Sequence, residues 1–337
     1  MDLRIGVIGT GAIGREHIKC FTQKIVGCEV VAVSDVNIEG ATKVAKEYGA
    51  KMYPKGEDLI ADPEVDAIVV TSWDETHAKY VLASIQAGKY VFCEKPLATV
   101  VEECEEILQG EMALGKKVVT VGFQRRYDPG YVALKEVVKS GKIGVPLMVH
   151  ACHRNMTHAA TMTSDMSIKN SGIHEIDILR WLLEDDYVEG QVILPRQSSI
   201  SAEEGLQDPQ IMLLRTKLGI AIDVEISQSS GYGYDIQCEV VGDLGTAKLP
   251  DPTAIETRTN CSCAFDIMPG WETRFVEAYA IELQDWVNAV KEDRNTGATA
   301  WDGYVACVTA HVLGQARVEG GIKKIETMEC PEFYAKA

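Results

Sequence analysis

The chain has 337 residues, of which 46% are hydrophobic and 25% are charged, and its formal net charge at pH 7 is −17. This length suits about two domains, and the composition is typical of a globular protein. An acidic surface repels phosphate backbones, which argues against nucleic-acid binding. No apolar run approaches the ~20 residues that a membrane span needs, and the sequence begins with a strand rather than a signal peptide. We therefore expect a cytoplasmic protein that does not bind membranes.

The ten cysteines are scattered along the chain. The closest pair, Cys261 and Cys263, has no second pair at the spacing of a zinc site. The sequence therefore predicts reduced thiols and no metal centre.

The amino-terminal segment predicts a dinucleotide-binding turn. An apolar strand over residues 3–8 runs into Gly9, Gly11 and Gly14, which form a G-x-G-x-x-G pattern ahead of a helix over residues 15–22. The first glycine permits the tight turn, the second lets a pyrophosphate approach the backbone, and the third lets helix and strand pack closely. The phosphates then face unpaired N–H groups at the positive end of the helix dipole.

A second strand, over residues 29–34, ends at Asp35. This carboxylate lies 21 positions beyond Gly14, where a dinucleotide fold places the acid that accepts the ribose hydroxyls. Val36 and Asn37 follow, so no arginine stands there for a 2′-phosphate. The sequence thus favours NAD over NADP, although Asp35 alone does not exclude use of both.

Strands and helices alternate up to about residue 122, which indicates a doubly wound parallel sheet. The further predicted helices are 38–48, a short one beginning at 58–60, 78–87 and 101–114, and the further strands are 51–53, 65–71, 90–93 and 117–122. Ser72, Trp73 and His77 follow the strand over residues 65–71, at the end where open α/β sheets bind ligands. Trp73 is expected to supply an apolar wall for the cofactor.

The strand over residues 90–93 delivers Glu94 and Lys95 directly ahead of Pro96. Proline fixes its own φ near about −65° and restricts the residue before it, so Lys95 is aimed rather than free to wander. The alternative is an ordinary strand-end turn with a solvated lysine. The predicted cofactor-binding residues are Gly9, Gly11, Ala12, Ile13, Gly14, Asp35, Val36, Ser72, Trp73, His77, Glu94 and Lys95.

The pattern changes after residue 122, which predicts an NAD-binding domain over residues 1–122 and a second, α/β domain over residues 123–337. Strands around one helix suggest a large open, mostly antiparallel sheet with one helical face. The strands are predicted at 146–154, 189–193, 210–214, 221–228, 234–242 and 246–249, and the helices at 129–140, 170–183, 271–291 and 301–319. The helix over residues 301–319 has no strand partner and is expected to pack back on the first domain. Arg125 and Arg126, at the boundary, could orient substrate or form structural salt bridges.

His174 lies in the helix over residues 170–183, with Asn170 four residues earlier and Asp177 three later, which predicts one shared face. Oxidation of an alcohol by NAD needs a base for the hydroxyl proton, and a neutral imidazole suits that task near pH 7. An ammonium beside the developing oxyanion makes proton loss easier. His174 and Lys95 could fill these roles without zinc, although a histidine within a helix is often only a structural hydrogen-bonder.

Three motifs together resemble the family of glucose–fructose oxidoreductase and inositol dehydrogenases. They are Gly9-x-Gly11-x-x-Gly14, Cys93-Glu94-Lys95-Pro96-Leu97 and Ile173-His174-Glu175-Ile176-Asp177. Longer stretches are similar to the bacterial inositol 2-dehydrogenase branch of that family: Val70-Thr71-Ser72-Trp73, Gly122-Phe123-Gln124-Arg125-Arg126-Tyr127-Asp128, His153-Arg154-Asn155 and Gly233-Tyr234-Asp235-Ile236-Gln237-Cys238-Glu239. The resemblance covers essentially the whole chain.

This resemblance implies NAD(H), a Rossmann domain followed by an α/β domain, and a homotetramer that associates through the open sheets. It implies that Lys95 and His174 are catalytic and that the substrate is a polyol, with myo-inositol oxidised to 2-keto-myo-inositol as the main expectation. The implied substrate residues are Lys95, Gln124, Arg125, His153, Asn155, Asn170, His174 and Tyr234, with Tyr232 as an alternative to Tyr234.

One residue departs from the family pattern. The family has a catalytic aspartate four residues before the histidine, and here that position is Asn170. Asparagine can orient an imidazole but carries no charge, and loss of such a carboxylate can cost orders of magnitude in rate. Either Asp177 or Glu175 substitutes, or Lys95 shares the proton transfer, or the enzyme is slow or altered in specificity. The alternatives are therefore a scyllo- or chiro-inositol dehydrogenase, another sugar dehydrogenase, and a non-catalytic NAD- and sugar-sensing regulator.

Overall fold

The computed structural model describes residues 1–202, 205–251 and 255–335. The chain forms two compact units. One comprises Met1–Gln124, Glu277–Cys307 and the described part of Met328–Ala337, and the other comprises the described parts of Arg125–Val276 together with Val308–Thr327. Among the described helices, none combines the length and the apolarity that crossing a membrane would require.

Strands and helices alternate up to residue 122, and strands predominate between residues 146 and 265. The strands are β1 Leu3–Ile8, β2 Cys28–Ser34, β3 Lys51–Tyr53, β4 Ala67–Val70, β5 Tyr90–Glu94, β6 Val119–Gly122, β7 Pro146–Arg154, β8 Tyr187–Ile193, β9 Gln210–Thr216, β10 Ala221–Ser227, β11 Asp235–Gly242, β12 Thr246–Lys248, β13 Glu256–Thr259, β14 Ser262–Phe265, β15 Ala298–Thr299 and β16 Lys323–Lys324. The α-helices are α1 Ala12–Gln23, α2 Ile38–Tyr48, α3 Gly56–Ala61, α4 His77–Gln86, α5 Val101–Leu114, α6 Pro129–Lys139, α7 Ile173–Leu183, α8 Ser199–Ala202, α9 Trp271–Arg274, α10 Val276–Lys291, α11 Ala300–Glu319 and α12 Glu332–Ala335.

The first unit contains a sheet in the strand order β15-β6-β5-β4-β1-β2-β3. All of its pairs are parallel except that of β15 with β6. Strands β4, β5 and β6 are buried along their whole length, as expected for parallel strands covered on both faces. The predicted doubly wound sheet is therefore confirmed.

Local chemistry sets the helix ends in this unit. The Asn37 side chain accepts a hydrogen bond from the Gly40 N–H and caps α2, while Gly49 ends that helix in the left-handed conformation at φ 72°. Helix α5 likewise ends at a left-handed glycine, Gly115. These signals explain why the predicted helices over residues 38–48 and 101–114 coincide with α2 and α5.

The second unit is built on a sheet in the order β12-β11-β7-β10-β9-β8-β16. Only β7 and β10 run parallel; the other described pairs are antiparallel, as predicted. Buried and half-buried residues alternate along β11, because one face of the sheet packs against the interior and the other is open. The open face borders two cavities of about 330 and 280 Å³.

Two features of the second half differ from the sequence prediction. The predicted helix over residues 271–291 is broken at Phe275 into α9 and α10. Phe275 is fully buried, with the guanidinium carbons of Arg125 and Arg274 5.4 and 4.5 Å from its ring centroid, so packing of this ring interrupts the helix. The hairpin of β13 and β14 was not predicted, since its strands are exposed on both faces and lack an apolar alternation. The first unit includes residues 277–307, and the predicted division into domains over residues 1–122 and 123–337 stays a prediction.

Candidate functional site

The glycines of the amino-terminal turn separate into two kinds. Gly9 has a φ of +103°, and a Cβ there would lie 2.4 Å from the Thr71 backbone. A Cβ on Gly14 would lie 2.0 Å from the carbonyl oxygen of Gly9. A Cβ on Gly11 would have nothing within 4 Å. The fold itself therefore requires Gly9 and Gly14, whereas glycine at position 11 leaves room for a ligand against the backbone.

A cavity of about 280 Å³ lies at this turn. The predicted cofactor residues that line it are Gly9, Gly11, Asp35, Val36, Ser72 and Trp73. Ala12 and Ile13 begin α1, whose first N–H groups are free to bind an anion because Gly11 supplies no side-chain cap. The cradle at Gly11 and the dipole of α1 fit the pyrophosphate of a dinucleotide, and the 60% exposed Trp73 offers an apolar surface.

Asp35 is held in place by the turn that it faces. Its Oδ2 accepts hydrogen bonds from the backbone N–H of Thr10 at 2.6 Å and from the Thr10 hydroxyl at 3.2 Å. Its Oδ1 accepts one from the Asn37 N–H at 2.8 Å. A carboxylate offers about four acceptor positions, which leaves capacity for a ribose hydroxyl. A 2′-phosphate would meet this negative charge, so the site fits NAD better than NADP.

Two buried histidines support the turn after β5 through hydrogen bonds. Nε2 of His17 lies 2.7 Å from Oε1 of Glu94, and the Lys95 N–H donates to Glu94 Oε2 at 3.2 Å. Nδ1 of His77 lies 2.6 Å from the Pro96 carbonyl oxygen, and Nε2 of the same ring lies 3.1 Å from the Ser72 carbonyl oxygen. Glu94 and His77 thus support the turn and do not line the 280 Å³ cavity. Direct contact of either with the cofactor stays a prediction.

In the second unit, His174 is the second residue of α7. The sequence predicts one continuous α-helix that carries Asn170, His174 and Asp177 on a shared face. The structure differs, because Ser167–Gly172 forms a π-helical turn and the α-helix begins only at Ile173. A π turn is wider than an α turn, so α-helical spacing does not apply between positions 170 and 174. Such turns recur at functional sites, and both Asn170 and His174 are half-buried.

A buried charged network adjoins His174. Arg125 forms a salt bridge with Glu175, and both side chains are only 1% exposed. Nδ1 of His153 lies 2.9 Å from Glu175 Oε2, and the His153 ring centroid is 6.3 Å from that of His174. Burial raises the pKa of Glu175, but the positive charge of Arg125 and the contact with His153 Nδ1 outweigh burial and leave that pKa below its usual value. Glu175 is therefore a permanently ionised carboxylate near neutral pH.

Both carboxylates that were proposed to replace an aspartate at position 170 are already paired with arginines. Glu175 is bound to Arg125, and Asp177 is buried in a pair with Arg126 at 2.5 Å. These contacts favour the structural interpretation of both arginines. A substrate contact by Arg125 stays a prediction, and so does a role for Asn170 in orienting His174.

The remaining predicted substrate residues fall into three places. Tyr234 is buried with its ring edge against His153, at a centroid distance of 5.7 Å, whereas Tyr232 is exposed and hydrogen-bonds Asp235 and Arg154. The Asn155 amide donates to Oε1 of Gln228 at 2.9 Å. Gln124 is buried at the end of the first unit. The structure thus brings His153, His174 and Tyr234 together.

Sequence reasoning missed the supporting residues His17, Glu175 in its ion pair, and Gln228. A signal existed for two of them. His17 shares its helical face with Gly14 and Phe21, and Glu175 shares its face with Ile178 and Leu179, which predicts burial of both polar groups and hence a need for partners. Gln228 had no such signal. Among the described residues, no group of three His, Cys, Asp or Glu side chains is placed to hold a metal ion.

Comparison with known proteins matches both parts of the chain to one family. The model of an oxidoreductase family with an NAD-binding Rossmann fold matches residues 3–123, and the model of its C-terminal α/β domain matches residues 135–326. The chain belongs to this oxidoreductase family. The family and the NAD cofactor predicted from the sequence are thereby confirmed.

Relatives of the chain in this family carry a more specific name. The chain is 49% identical over 338 residues to an inositol 2-dehydrogenase of Serratia proteamaculans and 50% identical over 339 residues to one of Azotobacter vinelandii, with 100% of both chains covered in each case. Its structure is similar to that of a myo-inositol dehydrogenase of Lactobacillus casei in complex with NAD(H) and myo-inositol. That match has a TM-score of 0.95 at 39% identity and covers 99% of this chain and 100% of the other.

Proposed function

We propose that this protein is an NAD-dependent inositol 2-dehydrogenase that oxidises myo-inositol to 2-keto-myo-inositol. The observation that carries the proposal is full-length identity of about 49% to enzymes of that name, in a chain that retains both Lys95 and His174. The fit of the Gly11 cradle and Asp35 to a dinucleotide supports the cofactor half of the reaction.

When bound, NAD⁺ supplies the acceptor for the hydride that leaves the carbinol carbon. The chain itself must then remove the hydroxyl proton. A free alcohol, like water, has a pKa far above neutral pH, so the proton needs a positioned base and the oxygen needs a nearby positive charge. We assign the base to Nε2 or Nδ1 of His174 and the charge stabilisation to the Lys95 ammonium.

The substrate offers only hydroxyl groups, so its recognition depends on hydrogen bonds rather than on counter-charges. We assign these contacts to His153, Asn155 and Tyr234, with Gln124 and Asn170 as further partners. In His153, the contact of Nδ1 with the ionised Glu175 favours a proton on Nδ1. The other ring nitrogen then presents a lone pair that accepts a hydrogen bond from a substrate hydroxyl.

Asn170 is the observation that favours a second candidate. Because asparagine cannot neutralise the imidazolium that forms on His174, the enzyme is either slower on myo-inositol or adapted to another substrate, such as scyllo- or chiro-inositol or another sugar. A sensor that binds NAD and a sugar without turnover is the candidate from a different class.

The deciding experiment follows NADH absorbance on mixing the protein and NAD⁺ with each inositol isomer and with aldoses. The wild type, Asn170→Asp and the control Asn288→Asp, which adds the same charge at an exposed position of α10, are compared. We expect turnover on myo-inositol, with kcat raised at least about tenfold by Asn170→Asp and unchanged by the control. Turnover on another isomer, lowered by Asn170→Asp, would make Asn170 part of a different specificity. NAD binding without turnover on any polyol would favour the sensor.

We also propose a cytoplasmic homotetramer. All ten cysteines are free thiols, as a reducing compartment requires. The open face of the second sheet carries half-exposed and exposed side chains, Met148 at 40% among them, and offers a surface for a second copy. Light scattering after size-exclusion chromatography should give four times the monomer mass, and fractionation of cells should recover the protein with cytoplasmic markers.

A further inference from the structure

His17 has no part in the chemistry proposed above, yet it is buried within the first unit. It lies on the second turn of α1 and is 1% exposed. Its ring packs edge-on against Phe92 at a centroid distance of 5.7 Å and against Tyr279 at 5.5 Å. Burial of an imidazole in aromatic surroundings is costly unless its polar atoms are bound.

The bound nitrogen of the His17 ring faces the carboxylate of Glu94, the residue before Lys95. Nε2 of His17 lies 2.7 Å from Glu94 Oε1, and because an ionised carboxylate only accepts, the imidazole donates. The other oxygen of the same carboxylate accepts the backbone N–H of Lys95 at 3.2 Å. A continuous chain of hydrogen bonds therefore runs from α1 through His17 and Glu94 to the backbone of Lys95.

The neighbouring strand leaves space for this carboxylate. A Cβ on Gly122, in β6, would lie 3.1 Å from the carboxyl carbon and Oε1 of Glu94. Glu94 is 5% exposed, so it has little access to water as a substitute partner. Without the His17 donor, one oxygen of this buried carboxylate would lose its partner, and a carboxylate that turns toward another donor loosens its hold on Lys95.

We propose that His17 is a positioning residue for Lys95: it donates to Glu94, which fixes the backbone from which the Lys95 ammonium projects. This inference rests on the proposed catalytic role of Lys95. It also gives α1 two tasks. The amino end of that helix, at Gly11, forms the pyrophosphate cradle, and the second turn of the same helix holds Lys95 in place beside it.

Two substitutions separate the hydrogen bond from the ring packing. His17→Phe keeps an aromatic ring and removes the donor, whereas His17→Gln keeps an N–H at about the reach of Nε2 and removes the ring. Thr120→Val serves as the control, since it removes two part-buried hydrogen bonds, to Asn295 and Thr296, from the adjacent strand β6. The measurements are kcat, the KM values for polyol and NAD⁺, and hydrogen exchange of the Lys95 amide at single-residue resolution.

We expect His17→Phe to lower kcat about 10- to 100-fold, as misplacement of a catalytic group does, with the polyol KM within about threefold of wild type. The Lys95 amide should exchange about tenfold faster or more in this variant. His17→Gln and Thr120→Val should stay within about threefold of wild type in both measurements. If His17→Phe does not fold, His17→Met takes its place as the apolar variant of similar volume.

An equal loss of kcat in His17→Phe and His17→Gln, or a greater loss of kcat in His17→Gln, would overturn the inference and indicate that ring packing is what matters. Unchanged kcat and unchanged Lys95 exchange in His17→Phe would overturn it outright. The amide exchange is read without substrate, so a wild type that oxidises no polyol would remove the proposed function while leaving the hydrogen-bond chain testable on its own.

Discussion

Glu111 in the first unit and Glu175 in the second are both fully buried glutamates, and their pKa values move in opposite directions. Glu111 accepts hydrogen bonds from the backbone N–H groups of Val118 and Val119 and from the Tyr334 hydroxyl, at 2.5 to 2.7 Å. Burial raises its pKa, and these donors reduce the shift without reversing it. Glu175 has a permanent cation, Arg125, and its pKa falls.

The difference shows what dipoles and charges each achieve in a protein interior. Neutral donors are enough to bury a carboxylate that has a structural task, such as joining α5 to β6 and α12. A carboxylate that must remain ionised beside His153 and His174 needs an arginine. Burying the Arg125 guanidinium costs free energy. We infer that the chain keeps this arginine because the site of the second unit depends on the charge of Glu175.

The largest effect is expected from Arg125→Met, which removes the cation and leaves the carboxylate. Breaking a buried pair in this way costs about 3–5 kcal/mol of unfolding free energy, measured by urea denaturation. Because the wild-type pKa of Glu175 is lowered from its usual 4.5, its stabilisation is fully present above pH 4.5 and is lost as the pH falls through the folded-state pKa. In the variant, only His153 still opposes the effect of burial, which is the largest influence on this pKa, so the pKa should rise and stability should increase toward acid pH.

The control for this variant is Arg258→Met, which removes an arginine whose side chain is 78% exposed from its pair with Glu256. It should cost less than about 1 kcal/mol. Equal losses in the two variants, or a pH slope of unchanged sign in Arg125→Met, would contradict the role given to Arg125.

An intermediate effect is expected from Glu111→Gln. The raised folded-state pKa of Glu111 means that its contribution to stability is fully present below pH 4.5 and is lost as the pH rises through that folded-state value. Glutamine can still accept from the two N–H groups and can donate to the Tyr334 oxygen. Stability at pH 7 should therefore change by less than about 1 kcal/mol, while its decline with rising pH should become shallower in thermal unfolding. An unchanged decline would show that Glu111 is not the titrating group.

The smallest effect is expected from Tyr334→Phe, which removes one of the three donors to Glu111. Its cost at pH 7 should be about 0.5 kcal/mol, at the low end for one hydrogen bond, because the two backbone donors to Glu111 remain. Because the Tyr334 hydroxyl lowers the pKa of Glu111, its loss should raise that pKa further and shift the pH-dependent decline toward higher pH. In a Glu111→Gln background the same substitution should leave the pH dependence unchanged.

The first unit could be predicted closely from the sequence because its signals are local. Glycine spacing, apolar runs and helix caps each act over a few residues, so the turn at Gly9, the acid at Asp35 and the extents of α2 and α5 all follow from short segments. The oxidoreductase family followed from motifs spread along the whole chain.

The interior of the site could not be predicted, because its partners are distant in sequence. His17 and Glu94 are separated by 77 positions and Arg125 and Glu175 by 50, and no local pattern pairs them. The π-helical turn escaped prediction for a different reason. It keeps the composition of an α-helix and differs by one residue per turn, which period-based reasoning over so short a segment does not resolve. The break at Phe275 depends on the packing of its ring against Arg125 and Arg274, and the pairing with Arg125 is distant in sequence.

Because the space beside Gly11 is open, selection for folding alone does not constrain the residue at this position. An alanine there meets no atom of the protein, and replacing a glycine tends to stabilise a fold by restricting the unfolded chain. In a library sorted only for soluble expression, position 11 should drift while positions 9 and 14 stay glycine. Sorting the same library on a dinucleotide affinity column should restore glycine at all three. The two sequence profiles, subtracted, would separate the part of the turn that belongs to the architecture from the part that belongs to the ligand.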